Sequence, residues 1–444
     1  MALANGRKRP CTKMNDHLEV SVSVPPSCSP PSETICSKIN VNSRKLQVIN
    51  TYSAKGIALV ELLGPVNVED SAPLIITVGH GGKYKPDYIK DRSKNSPYCS
   101  RGNLSNYDTF STLSDLHTDE VGYRLLTEII ETFGKVPYFV ISHLHRSKLD
   151  VNRSQSMAAQ GDPTAEKAWY SYHDFIYQAQ SKLKLRFGTV RGKDDETCED
   201  LEGVKAIMVD LHGYAGRNCW RDGDITGSLP FIQWGYGLSA NDLNLRKLDD
   251  SQSTFRLAAS LANRDMESVI RYVSRVQQTE NSLSLFKQIF DKFSSHISFL
   301  QNSGPKSLGS RFYSIFTSSG ALDDDESKHI GAGIPSQEYK TPYAITSDSH
   351  WCNANSIQSH KSFVFYSGGY TIIQHEYLDW RKRAGQMMMN TVQIELPKQI
   401  RNGDGTDAGR ALVHSKTARA LSVSLMSFTY DLFGMDDGVC LPIS

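Results

Sequence analysis

Twice in this chain an apolar, strand-forming run ends in a histidine and a glycine. Leu74-Ile-Ile-Thr-Val-Gly-His-Gly-Gly82 sets five residues suited to a strand buried on both faces before Gly79, His80 and two further glycines. Val204-Lys-Ala-Ile-Met-Val-Asp-Leu-His-Gly213 repeats the design. Each run predicts an imidazole at the end of a buried strand. Asp210 and His212, two residues apart, share one face of the second strand, so Asp210 can orient the imidazole. A neutral imidazole is the commonest protein ligand for a transition metal. A single histidine at a strand end is more often only hydrogen-bonded, and the metal reading therefore needs further groups.

The segments between these strands supply them. Ser114-Asp-Leu-His-Thr-Asp-Glu120 precedes an apolar stripe of Val121, Leu125, Leu126, Ile129, Ile130 and Phe133, which predicts an amphipathic helix with Asp119 and Glu120 in its first turn. Those carboxylates either face the positive end of the helix dipole or send one side chain into a site at the strand ends. Val136–Leu144 reads as another strand and runs into His145-Arg-Ser-Lys-Leu-Asp-Val-Asn-Arg153. Here Arg146 and Arg153 offer planar forks of donors that suit a carboxylate or an oxyanion, and Asp150 can hold one of them. Asp162-Pro163 reads as a capped helix start, with Trp169, Tyr172, Ile176, Ala179 and Leu183 on its apolar face. Thr254–Leu300 reads as helical and Ser362–Tyr366 as a strand. Thr391–Leu396 sets Gln393 and Glu395 on one face against Val392, Ile394 and Leu396 on the other. A carboxylate in such a strand is costly without a partner or a job. Asp407 to Phe433 reads as a long helix capped by Asp407 and ended by Gly434.

The alternation of strands and helices predicts an α/β fold. Residues 1–44, rich in Ser, Pro and Thr, are expected to be a disordered tail, and 45–444 a single α/β domain with a helical and loop insertion around 240–360. A formal charge of +1 gives no field to recruit nucleic acid or a membrane surface. The eight cysteines show no CxxC pair or zinc-finger spacing, and no apolar run has the length of a membrane span or the form of a signal peptide. The expected setting is the cytoplasm.

His80, His212 and one of Asp119 or Glu120 make two imidazoles and a carboxylate, a ligand set of catalytic zinc. Glu395 would be the general base, and Arg146 or Arg153 a substrate clamp. The ordered blocks His80-Gly-Gly, Thr118-Asp119, Arg146-x-x-x-Asp150-x-Asn152-Arg153, Tyr172-His173, Asp210-x-His212, Gly368-Gly-Tyr-Thr and Gln393-Ile-Glu395 resemble the N-formylglutamate amidohydrolase family over about Leu74 to Leu396. The resemblance implies a zinc-exopeptidase-like (phosphorylase/hydrolase-like) fold, a mixed central sheet with helices on both faces. It also implies cleavage of an N-formyl or N-acyl amino acid to formate, or another acid, and the free amino acid.

Carried onto this chain, the resemblance assigns one catalytic Zn2+ to His80, Asp119 and His212, and the activation of water to Glu395. Arg146 would stabilise the oxyanion, Asn152, Arg153 and Tyr370 would bind substrate, and Asp150 and Asp210 would orient their neighbours. Gly81 and Gly213 stand where the family more often has serine or alanine, and the glycines around His80 are expected to leave room for substrate. The long stretch between His212 and Gly368 implies an insertion beside the cleft. Two other readings remain, a carboxypeptidase-like exopeptidase and a non-catalytic relative that binds a ligand or partner.

Overall fold

The computed structural model describes residues 45–99, 110–189, 203–214, 218–221, 224–228, 233–235, 369–375, 389–433 and 435. The expected tail, the insertion around 240–360, the helical stretch Thr254–Leu300 and the strand Ser362–Tyr366 lie outside these residues. In chain order the described elements are β1 (Leu46–Ala54), β2 (Ile57–Pro65), β3 (Ser71–Val78), α1 (Thr118–Phe133), β4 (Val136–Ser142), α2 (Gln155–Ala159), α3 (Pro163–Phe187), β5 (Gly188–Thr189), β6 (Gly203–Val204) and β7 (Ile207–Tyr214). They continue with β8 (Asn218–Arg221), β9 (Asp224–Ser228), β10 (Gln233–Gly235), α4 (Tyr370–His375), β11 (Asn390–Pro397), α5 (Lys398–Asn402) and α6 (Asp407–Phe433).

Seven strands form one mixed sheet in the order β1-β2-β4-β3-β7-β11-β10. The four in the middle, β4, β3, β7 and β11, are parallel, and β1, β2 and β10 join antiparallel at the edges. All eight residues of β3 are buried, because helices cover both faces of the sheet. On one face Ile75, Tyr138, Val140 and Met208 pack with Tyr172, Ile176, Ala179 and Leu183 of α3. On the other, α1 comes so close that a Cβ on Gly122 would stand 2.7 Å from Val78 Cγ2, and Tyr123 lies 5.2 Å from the Phe139 ring. Burying each Leu or Ile of this kind stabilises the fold by about 1.5–3 kcal/mol.

Helix ends follow local chemistry. The Asp162 side chain accepts from Thr164 N at 2.9 Å and Ala165 N at 3.0 Å, so α3 starts where an acidic cap followed by Pro163 predicts. For α6 the cap is Thr406 rather than Asp407: Thr406 Oγ1 accepts from Gly409 N at 3.0 Å, while Asp407 is already helical and pairs with Arg410. A hydroxyl one residue upstream takes the orphan N–H expected to pair with the carboxylate. No helix among the described residues is long and apolar enough to cross a membrane.

From β3 the chain crosses through α1 to β4 on one side, then returns through α3 to β7 on the other. That reversal makes a topological switch point between the C-terminal ends of β3 and β7, where open α/β sheets bind ligands.

Beneath that point, His173 of α3 stacks on His375 of α4, with centroids 5.0 Å apart and planes at 11°. His173 Nε2 donates to the Val151 carbonyl at 3.2 Å, so its Nδ1 accepts from His375 Nε2 at 2.7 Å. Both imidazoles are neutral: burial pushes His173 down to about 3, and burial together with His173 pushes His375 down as well. Unfolded histidines take up protons below about pH 6.5 and these two do not, so the unfolded state gains protons as the pH falls. Stability is therefore expected to fall from about pH 6.5 toward pH 3. In a thermal-melting series, His375→Gln keeps an Nε2 donor and cannot titrate, and it should show a shallower acid limb than wild type. An unchanged limb would show that the pair does not carry this dependence.

Candidate metal centre

His80 stands two residues beyond β3, where its backbone carbonyl accepts from Asp115 N at 3.0 Å and docks the loop preceding α1. The side chain is fully buried. Its Nε2 donates to Asp150 Oδ1 at 2.7 Å, which turns Nδ1 toward Asp115 Oδ2, 3.4 Å away and without a hydrogen bond. His212, near the end of β7, repeats the arrangement: Nε2 donates to Asp210 Oδ2 at 2.8 Å and Nδ1 faces the same Asp115 oxygen at 3.1 Å. The two rings are 4.6 Å apart and at 82° to each other. One ligand atom each from His80, Asp115 and His212 lie within 4.8 Å of one another.

Each imidazole thus has one nitrogen fixed by a buried carboxylate and the other turned to a shared third carboxylate. Carboxylate–histidine pairs of this kind set the tautomer of metal-ligating histidines. Asp210 is itself held by Thr77 Oγ1 at 2.6 Å, and Asp115 Oδ2 also accepts from Gly213 N at 3.0 Å. The donor set fits a cation. Burial alone would push the Asp115 carboxyl up, yet the hydrogen bond from His212 and the His80 imidazole beside it hold it well below the usual carboxylate range. Burial would likewise push His212 down, and Asp210 and Asp115 outweigh it, so His212 sits well above the ordinary imidazole value. A buried site that demands positive charge between three carboxylates suits a divalent metal.

Asp150 is the pivot of the outer layer. Besides His80 it takes Arg146 Nε at 2.8 Å on Oδ2, with Arg92 Nη1 at 3.6 Å and Arg153 Nε at 3.9 Å from the same oxygen. Burial would raise its pKa, but Arg146, His80 and Arg153 hold it well below the usual range. Asp150→Ala leaves these guanidiniums without their buried counter-charge and is expected to cost about 3–5 kcal/mol of stability. Urea unfolding of the metal-free protein measures it. A loss under about 1 kcal/mol, the worth of an exposed pair, would show that water replaces the carboxylate at little cost.

The acidic member of the cluster is Asp115, not Asp119 or Glu120. Thr118 N and Oγ1 both donate to the Asp115 carbonyl, at 3.1 and 2.7 Å, and His117 takes the left-handed conformation with φ 68°. This turn lays Asp115 over His80. Once α1 begins, Asp119 lies 3.8 Å from Lys83 Nζ, and Glu120 is taken by Lys83 Nζ and His117 Nδ1, each at 2.9 Å, and by Arg410.

The glycines admit protein rather than substrate. A Cβ on Gly79 would stand 2.6 Å from Val151 Cγ2, and one on Gly81 2.5 Å from Asp119 N. The His143 and Leu144 backbone closes on Gly82 in the same way.

Other sequence-derived residues surround the cluster. Glu395 is paired in register with His212 on the adjacent parallel strand, half-buried, and accepts from Gln393 Nε2 at 2.9 Å. Arg146 also donates Nη1 to the Leu113 carbonyl at 3.2 Å. Asn152 is tied into the protein, its Oδ1 accepting from Thr371 N at 2.8 Å and its Nδ2 3.4 Å from His212 Nε2. Arg153 Nη1 donates to the Asn152 carbonyl at 2.6 Å. Tyr370 opens α4, its ring 6.0 Å from that of His173 and 6.4 Å from that of Trp169.

Sequence reasoning missed Asp115 and Arg92. Arg92 braces the centre from outside by donating to the Met157, Ser111 and Arg146 carbonyls at 3.2, 2.7 and 2.9 Å. Asp115 carried a usable signal, since it is the acid of Ser114–Glu120 that lies outside the helix, on a loop free to fold back. Arg92 carried none. No protein-family model, no curated protein and no solved structure matches this chain.

Proposed function

We propose that this protein is a cytoplasmic zinc-dependent amidohydrolase of the N-formylglutamate amidohydrolase type, which cleaves the amide of an N-acyl amino acid on a zinc-exopeptidase-like sheet. One observation carries the reading: His80 and His212 are each fixed through Nε2 by a buried carboxylate and turn Nδ1 to Asp115. His80, Asp115 and His212 would hold the ion. Zinc bound there supplies Lewis acidity that brings the deprotonation of water to about pH 7.

The protein's own groups do the rest. Glu395 takes the proton of the attacking water and passes it to the nitrogen of the leaving amine, the shuttle that amide hydrolysis needs. Arg146, anchored through Nε and Nη1, keeps its guanidinium charge beside the reacting carbonyl and favours the developing oxyanion. Arg153 and Tyr370 orient the carboxylate end of the substrate, and Asn152 joins them through the wall it shares with His212.

Elemental analysis of the purified protein, with a hydrolysis screen over N-formylglutamate, N-acetyl amino acids and blocked peptides, tests the reading. The expected result is one zinc per chain and turnover of N-formyl or N-acetyl substrates, both lost in His80→Ala and His212→Ala. Absence of stoichiometric zinc, or full activity in either variant, sinks the mechanism. Turnover confined to peptides with free C-termini selects the exopeptidase instead.

A further inference from the structure

Arg401 belongs to α5, the short helix that leaves β11, and its side chain is buried. Its guanidinium donates to three backbone carbonyls on three different segments. Nη1 reaches Leu116 O at 2.7 Å, Nη2 reaches Tyr214 O at 2.9 Å and Nε reaches Leu396 O at 3.1 Å. Each carbonyl adjoins a residue of the centre: Leu116 follows Asp115, Tyr214 lies two beyond His212, and Leu396 follows Glu395. Hydrogen bonds from a planar, rigid fork fix the mutual spacing of what they join in a way that a flexible ammonium cannot.

Two further observations show that this approach is built into the chain. A Cβ on Gly213 would stand 2.5 Å from Arg401 Cζ, so the residue after His212 must be glycine for the guanidinium to enter. The carbonyl of Arg401 itself accepts from His414 Nε2 at 2.8 Å, which locks α5 to α6. Burial lowers the guanidinium's pKa, and the charges of Asp115 and Glu395, the two acids whose segments it joins, oppose that shift without cancelling it.

We propose that Arg401 is a positioning residue of the metal centre, setting the spacing of Asp115, His212 and Glu395 and with it the affinity and coordination geometry for zinc. The inference rests on the zinc reading above. It touches neither ion nor substrate and acts only through the three carbonyls.

The test compares wild type with Arg401→Lys, Arg401→Ala and Gly213→Ala. It uses zinc affinity from chelator competition, the visible spectrum of the cobalt(II)-loaded protein, and the melting temperature of the metal-free form. Arg401→Lys keeps the charge but cannot span three carbonyls, and Gly213→Ala keeps the arginine but displaces it. Both are expected to bind zinc about 10–100-fold more weakly, the usual cost of removing outer-shell support, with an altered cobalt spectrum. Millimolar guanidinium should restore part of the affinity of Arg401→Ala. Wild-type affinity and spectrum in Arg401→Lys and Gly213→Ala overturn the inference. So does a loss of zinc that only tracks a collapsed melting temperature and that guanidinium does not rescue. A wild-type protein that takes up no zinc overturns the metal reading itself, and this inference with it.

Discussion

Asp115→Asn is expected to weaken zinc binding by more than about 100-fold, beyond the range for removing an outer-shell group, while Asp119→Asn leaves it unchanged. The two residues are four apart in sequence and equally buried, so burial does not separate them. What does is their partners. Asp115 Oδ2 faces His212 Nδ1 at 3.1 Å and His80 Nδ1 at 3.4 Å, whereas Asp119 lies beside Lys83. An amide at position 115 removes the negative charge and leaves two imidazoles facing a neutral group. Chelator competition on both variants reads the difference directly. Zinc binding that survives Asp115→Asn and fails in Asp119→Asn would restore the assignment that the family resemblance implies.

Glu395→Gln is expected to lower kcat by about 10²–10⁴-fold, the usual range for a general acid–base, while zinc affinity stays at the wild-type value. The substitution preserves shape, and the Gln393 amide can still donate to the oxygen at position 395 as it does to Glu395 at 2.9 Å. It removes the proton acceptor beside His212 without disturbing the strand register that places it there. Steady-state kinetics and zinc titration on one preparation separate the outcomes. Hydrolysis at the wild-type rate would take Glu395 out of the base role, and loss of zinc would make it a ligand.

The strands of the centre were legible because burial on both faces of a parallel sheet demands unbroken apolar runs, and β3 and β7 carry them up to the residues that break the pattern. Asp210 beside His212, and Gln393 beside Glu395, were legible from the two-residue period of a strand. The start of α3 followed from Asp162-Pro163, since a cap depends only on neighbouring atoms. Asp150 holds Arg146, as its place between two arginines predicts, but its bond to His80 joins segments 70 residues apart and leaves no local trace. The glycines around His80 looked like space for a substrate, and only packing shows Val151, Asp119 and the His143–Leu144 backbone filling that space.

Sequence by itself determined which residue types stand at the ends of the parallel strands, because hydrophobic period and strand alternation act over a few residues. It therefore determined both imidazoles, the carboxylate that orients His212, and Glu395. Tertiary structure alone decided which acid completes the group and what holds it in place. Asp115 reaches the imidazoles through a turn closed by Thr118 and a left-handed His117, and Arg401 reaches two strand ends and the loop before α1 through a gap left by Gly213. Hydrogen bonds between distant segments obey geometry rather than spacing, so no periodicity in the chain announces them.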